Sequence, residues 1–120
     1  RFFVVDRKKD MILTGGENVY SREVEDLLYD HPGVAEAAVV GSPDVKWGEL
    51  VTAVIRLKAG ATADAGALDE FCRARIAGYK RPRRWLFVAE LPKSAAGKIL
   101  KAELRAQLRD GRLAPDLPNT

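Results

Sequence analysis

A short stretch near the C-terminal end has residue types suited to handling a negatively charged oxygen. It runs from Leu91 to Leu100 and reads LPKSAAGKIL. Pro92 restricts the backbone at its start, and Gly97 allows conformations that other residues avoid just before Lys98. A lysine ammonium offers three flexible donors, which suit phosphate or carboxylate oxygens. This stretch, called the lysine loop below, predicts a turn that presents Lys98 to an anion, although a solvated surface lysine would have the same local sequence.

A second concentration of charge lies between Arg73 and Arg84, where six of twelve residues are Lys or Arg and none is acidic. Tyr79 lies inside this basic segment and Trp85 follows it. Three interpretations fit: a solvated surface, a nucleic-acid patch, or a site for a polyphosphate small molecule. In the last case guanidinium groups would grip phosphates and an aromatic ring would stack on a base. Composition alone does not choose among them.

The overall composition narrows the class of protein. The chain has 120 residues and a net charge of +3, which suit one globular domain with a modest core. One Cys and one His cannot supply a metal set, so no metal is assigned to this domain. Cys72 and His31 both fit apolar helix faces and are interpreted as structural residues. A single cysteine favours a reducing, cytoplasmic location, and no apolar run approaches the roughly 20 residues of a membrane-spanning helix.

Hydrophobic patterns predict the elements that position these residues. Strands are expected at residues 2–5, 11–13, 34–41, 50–57 and 85–89. The first two flank a charged corner, as a small hairpin or as two segments that meet at a bend. Helices are expected after Ser21 as a cap, from Asp64 through Tyr79, and from Leu100 onward. Residues 14–18 are interpreted as a breaker cluster, and residues 42–49 as a turn in which Gly48 and Glu49 serve only the turn.

The order of these elements predicts the fold class. The pattern β-β-α-β-β-α-β-α indicates an α+β domain with a small, mainly antiparallel three-stranded sheet and a short N-terminal hairpin, flanked by helices. The domain is expected to span residues 1–110, followed by a frayed tail at 111–120. No internal repeat or long linker divides it.

Four motifs occur in order along the chain. They are DRKKDMI at 6–12, GGENVY at 15–20, EVE at 23–25 and PKSAAGK at 92–98. Together they resemble the adenylate-forming superfamily, which contains acyl-CoA synthetases, firefly-type luciferases and peptide-synthetase adenylation domains. The resemblance covers roughly residues 1–109, and the residues of the motifs DRKKD and GGEN are most similar to those of the fatty-acyl and aryl CoA ligases. It identifies the chain as similar to the small C-terminal domain, which in this superfamily rotates between two poses on a large N-terminal domain.

The resemblance implies an activity for the complete enzyme. Family members use ATP to convert a carboxylic acid to an acyl-adenylate and then transfer the acyl group to the thiol of coenzyme A. ATP and CoA are therefore the expected substrates, and Mg is expected in the complete enzyme but not on this domain. The expected partners are the large N-terminal domain of the same chain and a small carboxylic acid, not nucleic acid. This chain alone is expected to be inactive.

The resemblance also assigns roles to individual residues. Lys98 matches the catalytic lysine of adenylation, which also contacts the nucleotide. Arg7 matches the arginine that meets the ribose hydroxyls, and Lys9 matches the hinge about which the domain rotates.

A further set of residues matches CoA-binding positions. The loop of Gly15, Gly16 and Glu17 would line the pantetheine tunnel, where bare backbone fits. The CoA nucleotide would be held by Trp47, Tyr79, Arg81 and Arg83, although Trp47 at the edge of the core and a solvated Arg83 remain alternatives.

Three other functions stay open from the sequence. Two share the fold: a domain that serves carrier-protein loading, and a luciferase-like oxidase. The third is a stand-alone nucleic-acid-binding module that uses the basic segment, which would show a steep salt dependence and no need for Lys98.

Overall fold

The computed structural model describes residues 11–76 and 78–109. It contains two sheets and three α-helices, so the α+β prediction is confirmed. The strands are β1 (Met11–Thr14), β2 (Glu17–Tyr20), β3 (Val34–Asp44), β4 (Gly48–Leu57) and β5 (Arg84–Phe87). The helices are α1 (Ser21–Tyr29), α2 (Ala65–Arg73) and α3 (Lys101–Arg109), with a short 3₁₀ turn at Gly78–Lys80.

The larger sheet has the order β3-β4-β5. Strands β3 and β4 form a long antiparallel hairpin that continues to the pair Asp44 and Gly48, while β4 and β5 run parallel. A parallel pair needs a long crossover connection, and α2 lies within that connection. The central strand β4 is rich in Val, Ala and Ile because both of its faces are buried.

The two faces of this sheet carry separate hydrophobic cores. On the first face, Val39 and Ile55 pack with α1, α2 and the β1–β2 hairpin, through residues such as Ile12 and Leu28. On the second face, a smaller group packs beneath α3: Ala38, Val54, Leu86, Leu91 and Leu104. The alternation of side chains along each strand produces this division. Consequently the hairpin lies on one face of the sheet and the lysine loop, through Leu91, on the other.

The N-terminal hairpin differs from the prediction. Its expected first strand, residues 2–5, lies outside the described residues, and Met11–Thr14 pairs instead with Glu17–Tyr20. Gly15 and Gly16 form the turn, with φ of 57° and 85°. Two consecutive residues with positive φ match the twist of an antiparallel pair, which explains the paired glycines. Glu17 and Asn18 are thus strand residues rather than part of a breaker.

Ser21 does not cap α1. The helix starts at Ser21 directly after β2, so Tyr20 occupies the cap position without a side-chain hydrogen bond. Ser21 is buried instead, and its Oγ accepts a hydrogen bond from Lys101 Nζ at 3.2 Å. His31 lies beyond the end of the helix, where its Nδ1 accepts a hydrogen bond from the Gly33 N–H at 3.0 Å. His31 is therefore a helix-end residue, one of the structural roles expected.

Two other element boundaries also differ. Helix α2 begins directly after Asp64, which caps it: Asp64 Oδ1 accepts a hydrogen bond from the Ala67 N–H at 2.9 Å. The helix ends at Arg73, earlier than predicted. Tyr79 lies in the 3₁₀ turn instead. The β3–β4 turn is limited to residues 45–47, because both strands extend further than their apolar runs suggest. Glu49 is therefore a strand residue.

Candidate functional site: two loops on opposite faces of the sheet

The lysine loop closes on itself through main-chain hydrogen bonds. The Ser94 N–H donates to the Lys98 carbonyl at 2.9 Å, and the Gly97 N–H donates to the Ser94 carbonyl at 2.9 Å. Gly97 has a φ of 88°, which a residue with a side chain rarely adopts. Lys98 is exposed, and no hydrogen bond or ion pair joins its ammonium to another residue that the structure describes. The loop therefore presents one uncommitted cation.

Ion pairs fasten both ends of this loop. Lys93 Nζ lies 2.5 Å from Glu36 Oε2 on β3, and Lys101 Nζ lies 2.5 Å from Glu25 Oε2 on α1. Glu36 also accepts a hydrogen bond from Arg56 Nε at 2.8 Å. Burial alone raises the pKa of Glu36, but hydrogen bonds from Lys93 and Arg56 outweigh it, so the pKa lies below its ordinary value. The ion pairs of Lys93 and Lys101 thus hold the loop, and the charge of Lys98 is not used for this.

The turn formed by Gly15 and Gly16, called the glycine turn below, lies against Trp47. The Gly15 N–H donates to the Trp47 carbonyl at 2.9 Å. A Cβ at Gly15 would lie 2.5 Å from Cε3 of the Trp47 ring, whereas a Cβ at Gly16 would meet nothing within 4 Å. Gly15 is therefore required by the indole, and Gly16 presents bare backbone to open space.

Trp47 is fixed at the tip of the β3–β4 hairpin. Asp44 Oδ2 accepts hydrogen bonds from the Lys46 N–H at 2.9 Å and the Trp47 N–H at 2.8 Å. The Arg83 guanidinium carbon lies 4.8 Å from the centroid of the Trp47 ring, and Lys46 Nζ lies 5.6 Å from it. An aromatic face flanked by two cations can attract a group that combines a flat ring with negative charge.

The remaining predicted CoA-binding residues lie near this cluster but make other contacts. Arg81 Nε lies 3.5 Å from Asp69 Oδ1, and Arg81, Arg83 and Asp69 line a shallow depression of about 370 Å³. Tyr79 is partly exposed on the 3₁₀ turn, which contacts β2, the strand that begins with Glu17. The structure thus joins Gly15, Trp47 and Arg83 directly, and it places Arg81 beside Arg83.

Most cations of the basic segment have acidic or aromatic partners. Lys80 Nζ lies 3.0 Å from Glu23 Oε2, and this hydrogen bond raises the pKa of Lys80. The guanidinium of Arg75 lies 3.9 Å from the Phe71 ring centroid. The other pairs are Arg73 with Asp69 and Glu70, Arg81 with Asp69, and Arg84 with Asp44. Such pairing does not favour a continuous cationic stripe for nucleic acid.

Some predicted residues and features have no structural test. Arg7 and Lys9 lie outside the described residues, so the ribose contact and the hinge stay predictions. Within residues 11–76 and 78–109, no group of three His, Cys, Asp or Glu side chains could hold a metal ion. In the same part of the chain, no helix is long and apolar enough to cross a membrane.

Sequence reasoning missed Asp44 and assigned Glu49 only to a turn. Glu49 Oε1 accepts a hydrogen bond from the Leu13 N–H at 3.0 Å, across 36 positions of the chain. No local pattern indicates such a contact. The role of Asp44, by contrast, can be predicted from the local sequence. An Asp whose carboxylate accepts from the N–H groups two and three residues later is typical of turns.

Comparison with known proteins identifies the family of this fold and these loops. The sequence of residues 23–98 matches the family model of the AMP-binding enzyme C-terminal domain. The chain therefore belongs to the AMP-binding enzyme C-terminal domain family, which confirms the family predicted from the four motifs.

The curated relatives are CoA ligases of fatty and aryl acids. The chain is 52% identical to 2-succinylbenzoate–CoA ligase of Geobacillus kaustophilus over 86% of its own length and 21% of the relative. It is also 52% identical to long-chain-fatty-acid–CoA ligase of Bacillus subtilis, over 86% of this chain and 18% of the relative. The chain thus spans about a fifth of the length of the relatives it matches.

Solved structures show the same fold. A fatty acyl CoA synthetase of Mycobacterium tuberculosis matches with a TM-score of 0.82 and 42% identity, over 88% of this chain and 21% of that one. The o-succinylbenzoate CoA synthetase of Bacillus subtilis, in complex with its acyl-adenylate intermediate, matches with a TM-score of 0.77 and 42% identity, over 96% of this chain and 22% of that one.

Proposed function

We propose that this chain is the mobile C-terminal domain of an ATP-dependent ligase that joins a fatty or aryl acid to coenzyme A. In this proposal the domain supplies Lys98 for adenylation and the glycine turn for thioester formation. It works with a large N-terminal domain that binds the acid and ATP. The relatives named above are ligases of fatty and aryl acids, which supports this substrate class.

The placement of the two loops on opposite faces of one sheet carries this proposal. The lysine loop is anchored in the core beneath α3, while the hairpin of the glycine turn packs in the core with α1 and α2. A single active site on another domain cannot meet both faces at once. Rotation of the whole domain would bring one loop in and take the other away.

In the first pose, Lys98 acts as an electrostatic catalyst. A carboxylate oxygen attacks the α-phosphorus of ATP, the acyl-adenylate forms, and pyrophosphate leaves. The uncommitted ammonium can bridge the carboxylate and the α-phosphate as charge shifts between their oxygens. Because the ion pairs of Lys93 and Lys101 fasten the loop, little ordering is needed when the ammonium enters the site.

In the second pose, the glycine turn lines the path of the CoA thiol. The thiol loses its proton and attacks the acyl carbonyl, and AMP leaves as the thioester forms. Gly16 offers backbone without a side chain to the pantetheine arm, with Glu17 beside it. Trp47 and Arg83 would contact the CoA nucleotide, and Arg81 in the neighbouring depression and Tyr79 on the 3₁₀ turn would complete this surface.

Other parts of the proposal depend on residues outside the described ranges or on the large domain. Arg7 would meet the ribose, and Lys9 would serve as the hinge. Mg would take part in the complete enzyme without being bound by this domain. A carrier protein is the second candidate acceptor, because such enzymes share the fold. The cation-flanked Trp47 favours CoA, since a nucleotide offers the flat, anionic partner that this surface suits.

The substitution Lys98→Ala in the complete enzyme tests the proposal. Adenylation, followed as pyrophosphate release with a panel of fatty and aryl acids, should fall by about 100-fold or more, because a charge-stabilising donor is lost. Thioester formation from supplied acyl-adenylate should stay within about twofold of the parent enzyme. Lys58→Ala is the matched control, since Lys58 is also exposed but lies at the end of β4. Equal effects of the two substitutions on adenylation would refute the role of Lys98.

A further inference from the structure

Glu49 connects the glycine turn to the β3–β4 hairpin. Its Oε1 accepts a hydrogen bond from the Leu13 N–H at 3.0 Å. Two residues further along the chain, the Gly15 N–H donates to the Trp47 carbonyl. Strand β1 and the glycine turn are thus bonded to the β3–β4 hairpin at two points: the Glu49 carboxylate accepts from Leu13, and the Trp47 carbonyl accepts from Gly15. The carboxylate takes the place of a ladder partner that the main chain does not provide there.

The space for this carboxylate is created by Gly41 on β3. A Cβ at Gly41 would lie 2.8 Å from Glu49 Cδ, which is closer than side-chain contacts allow. The φ of Gly41 is not positive, so its backbone does not by itself require glycine. The glycine is therefore explained by the Glu49 side chain, whose carboxylate lies against Gly41 while it bonds to Leu13 on β1.

The turn that carries Trp47, to which the glycine turn is bonded, is also held in place. Asp44 holds the Trp47 N–H, and Arg84 Nη2 lies 4.0 Å from Asp44 Oδ1. Arg84 Nη1 also donates to Ser42 Oγ at 2.6 Å, and Ser42 is buried and bonded to Thr52. The turn that carries Trp47 therefore rests on a polar network that reaches the sheet interior.

We propose that Glu49 is a positioning residue for acyl transfer to CoA, which fixes the glycine turn against Trp47 so that the two move as one block. This inference rests on the proposed function. CoA is one molecule whose thiol end would pass the glycine turn while its nucleotide would meet Trp47 and Arg83. Binding energy from the nucleotide can position the thiol only when the two contact surfaces keep a constant separation.

The test compares CoA with pantetheine, which carries the thiol but lacks the nucleotide. In the complete enzyme, with acyl-adenylate supplied, the ratio of kcat/KM for CoA to kcat/KM for pantetheine measures how far the nucleotide assists the thiol. Glu49→Ala should lower this ratio about tenfold, because a misplaced contact surface no longer contributes. Glu49→Gln should restore most of it, since the amide oxygen can still accept the Leu13 N–H.

Gly41→Ala supplies an independent variant, because it displaces the Glu49 carboxylate without removing it. It should lower the ratio in the same direction as Glu49→Ala while adenylation stays within about twofold of the parent enzyme. If Glu49→Ala unfolds the protein and so loses both half-reactions, the CoA-to-pantetheine ratio of Gly41→Ala decides whether Glu49 positions the glycine turn. In this chain, faster exchange of the Leu13 amide hydrogen in Glu49→Ala should report the lost bond directly.

The outcomes separate this inference from the proposed function. A large CoA-to-pantetheine ratio that neither Glu49→Ala nor Gly41→Ala changes would overturn the role of Glu49 alone. A ratio near one in the parent enzyme would overturn both the role of Glu49 and the nucleotide-binding role of Trp47 and Arg83. It would leave the test on Lys98 unaffected.

Discussion

The lysine loop and the glycine turn are built on contrasting physical principles. The lysine loop is fastened at both ends by ion pairs with Glu36 and Glu25 and presents a charge at its tip. The glycine turn is fastened by main-chain hydrogen bonds and the Trp47 ring and presents no side chain. One region delivers charge, and the other preserves space.

This contrast teaches what a substitution should do in each region. In the lysine loop, a change acts by removing a charge or by loosening the segment that carries it. In the glycine turn, a change acts by adding atoms where the backbone must stay bare. The two kinds of damage should therefore affect different half-reactions of the proposed enzyme.

The largest stability effect in the described turn should come from Gly15→Ala. Its new Cβ would meet the Trp47 ring at 2.5 Å, and the positive φ adds strain, so the free energy of unfolding should fall by about 2–3 kcal/mol. Gly16→Ala should cost only about 1 kcal/mol, because it carries the strain without the clash. Urea denaturation followed by tryptophan fluorescence measures both. Equal losses would show that the indole is not packed on Gly15.

A smaller effect is expected from Glu36→Ala, which leaves Lys93 and Arg56 without their shared partner. The lysine loop should loosen, and adenylation by the complete enzyme should fall by about tenfold while thioester formation is kept. Kinetics of the two half-reactions check this, with Glu70→Ala as the control at an exposed carboxylate on α2. Loss of thioester formation to the same extent would contradict the separation of the two loops.

The same carboxylate gives a pH dependence. Because the pKa of Glu36 is lower in the folded chain than in the unfolded chain, its contribution to stability is present above the ordinary value of 4.5. It should be lost as the pH falls from 4.5 through the folded pKa. Urea titrations of the parent chain and Glu36→Gln should therefore converge as the solution becomes more acidic in this range. Parallel curves would show that Glu36 does not titrate with a lowered pKa.

The smallest effect concerns the core on the face of the glycine turn. Burial raises the pKa of the Cys72 thiol from 9.0 to about 11, so the folded chain holds its proton where the unfolded chain loses it. The free energy of unfolding should consequently fall by about 1 kcal/mol more in the parent chain than in Cys72→Ala as the pH rises from about 8 to about 10. An equal fall in the two proteins would show that the thiol titrates normally.

Local chemistry made much of the lysine loop predictable. Pro92, Gly97 and the apolar residues around Lys98 indicated an anchored turn with an exposed cation, and the structure has that geometry. The α+β class followed from apolar runs of strand and helix length. These features depend on neighbours in the sequence, which periodicity and turn chemistry can read.

The features that were missed depend on distant parts of the chain. The Glu49 bond to Leu13 and the packing of Trp47 on Gly15 join residues more than 30 positions apart. Ser21 has the composition of a cap, but β2 runs directly into α1 and buries it, so tertiary structure overrides the local preference. Tyr79 fits the helical stripe, yet α2 ends six residues earlier.

The central claim is that the two loops act in separate poses. The most direct test measures both half-reactions, in the complete enzyme, for one variant of each loop. Gly16→Asn suits the glycine turn, because asparagine tolerates a positive φ while adding a side chain to the proposed tunnel. Lys98→Ala should abolish most adenylation and spare acyl transfer to CoA, whereas Gly16→Asn should spare adenylation and lower acyl transfer by about 100-fold. If each variant instead lowers both half-reactions by the same factor, the two loops do not act in separate poses.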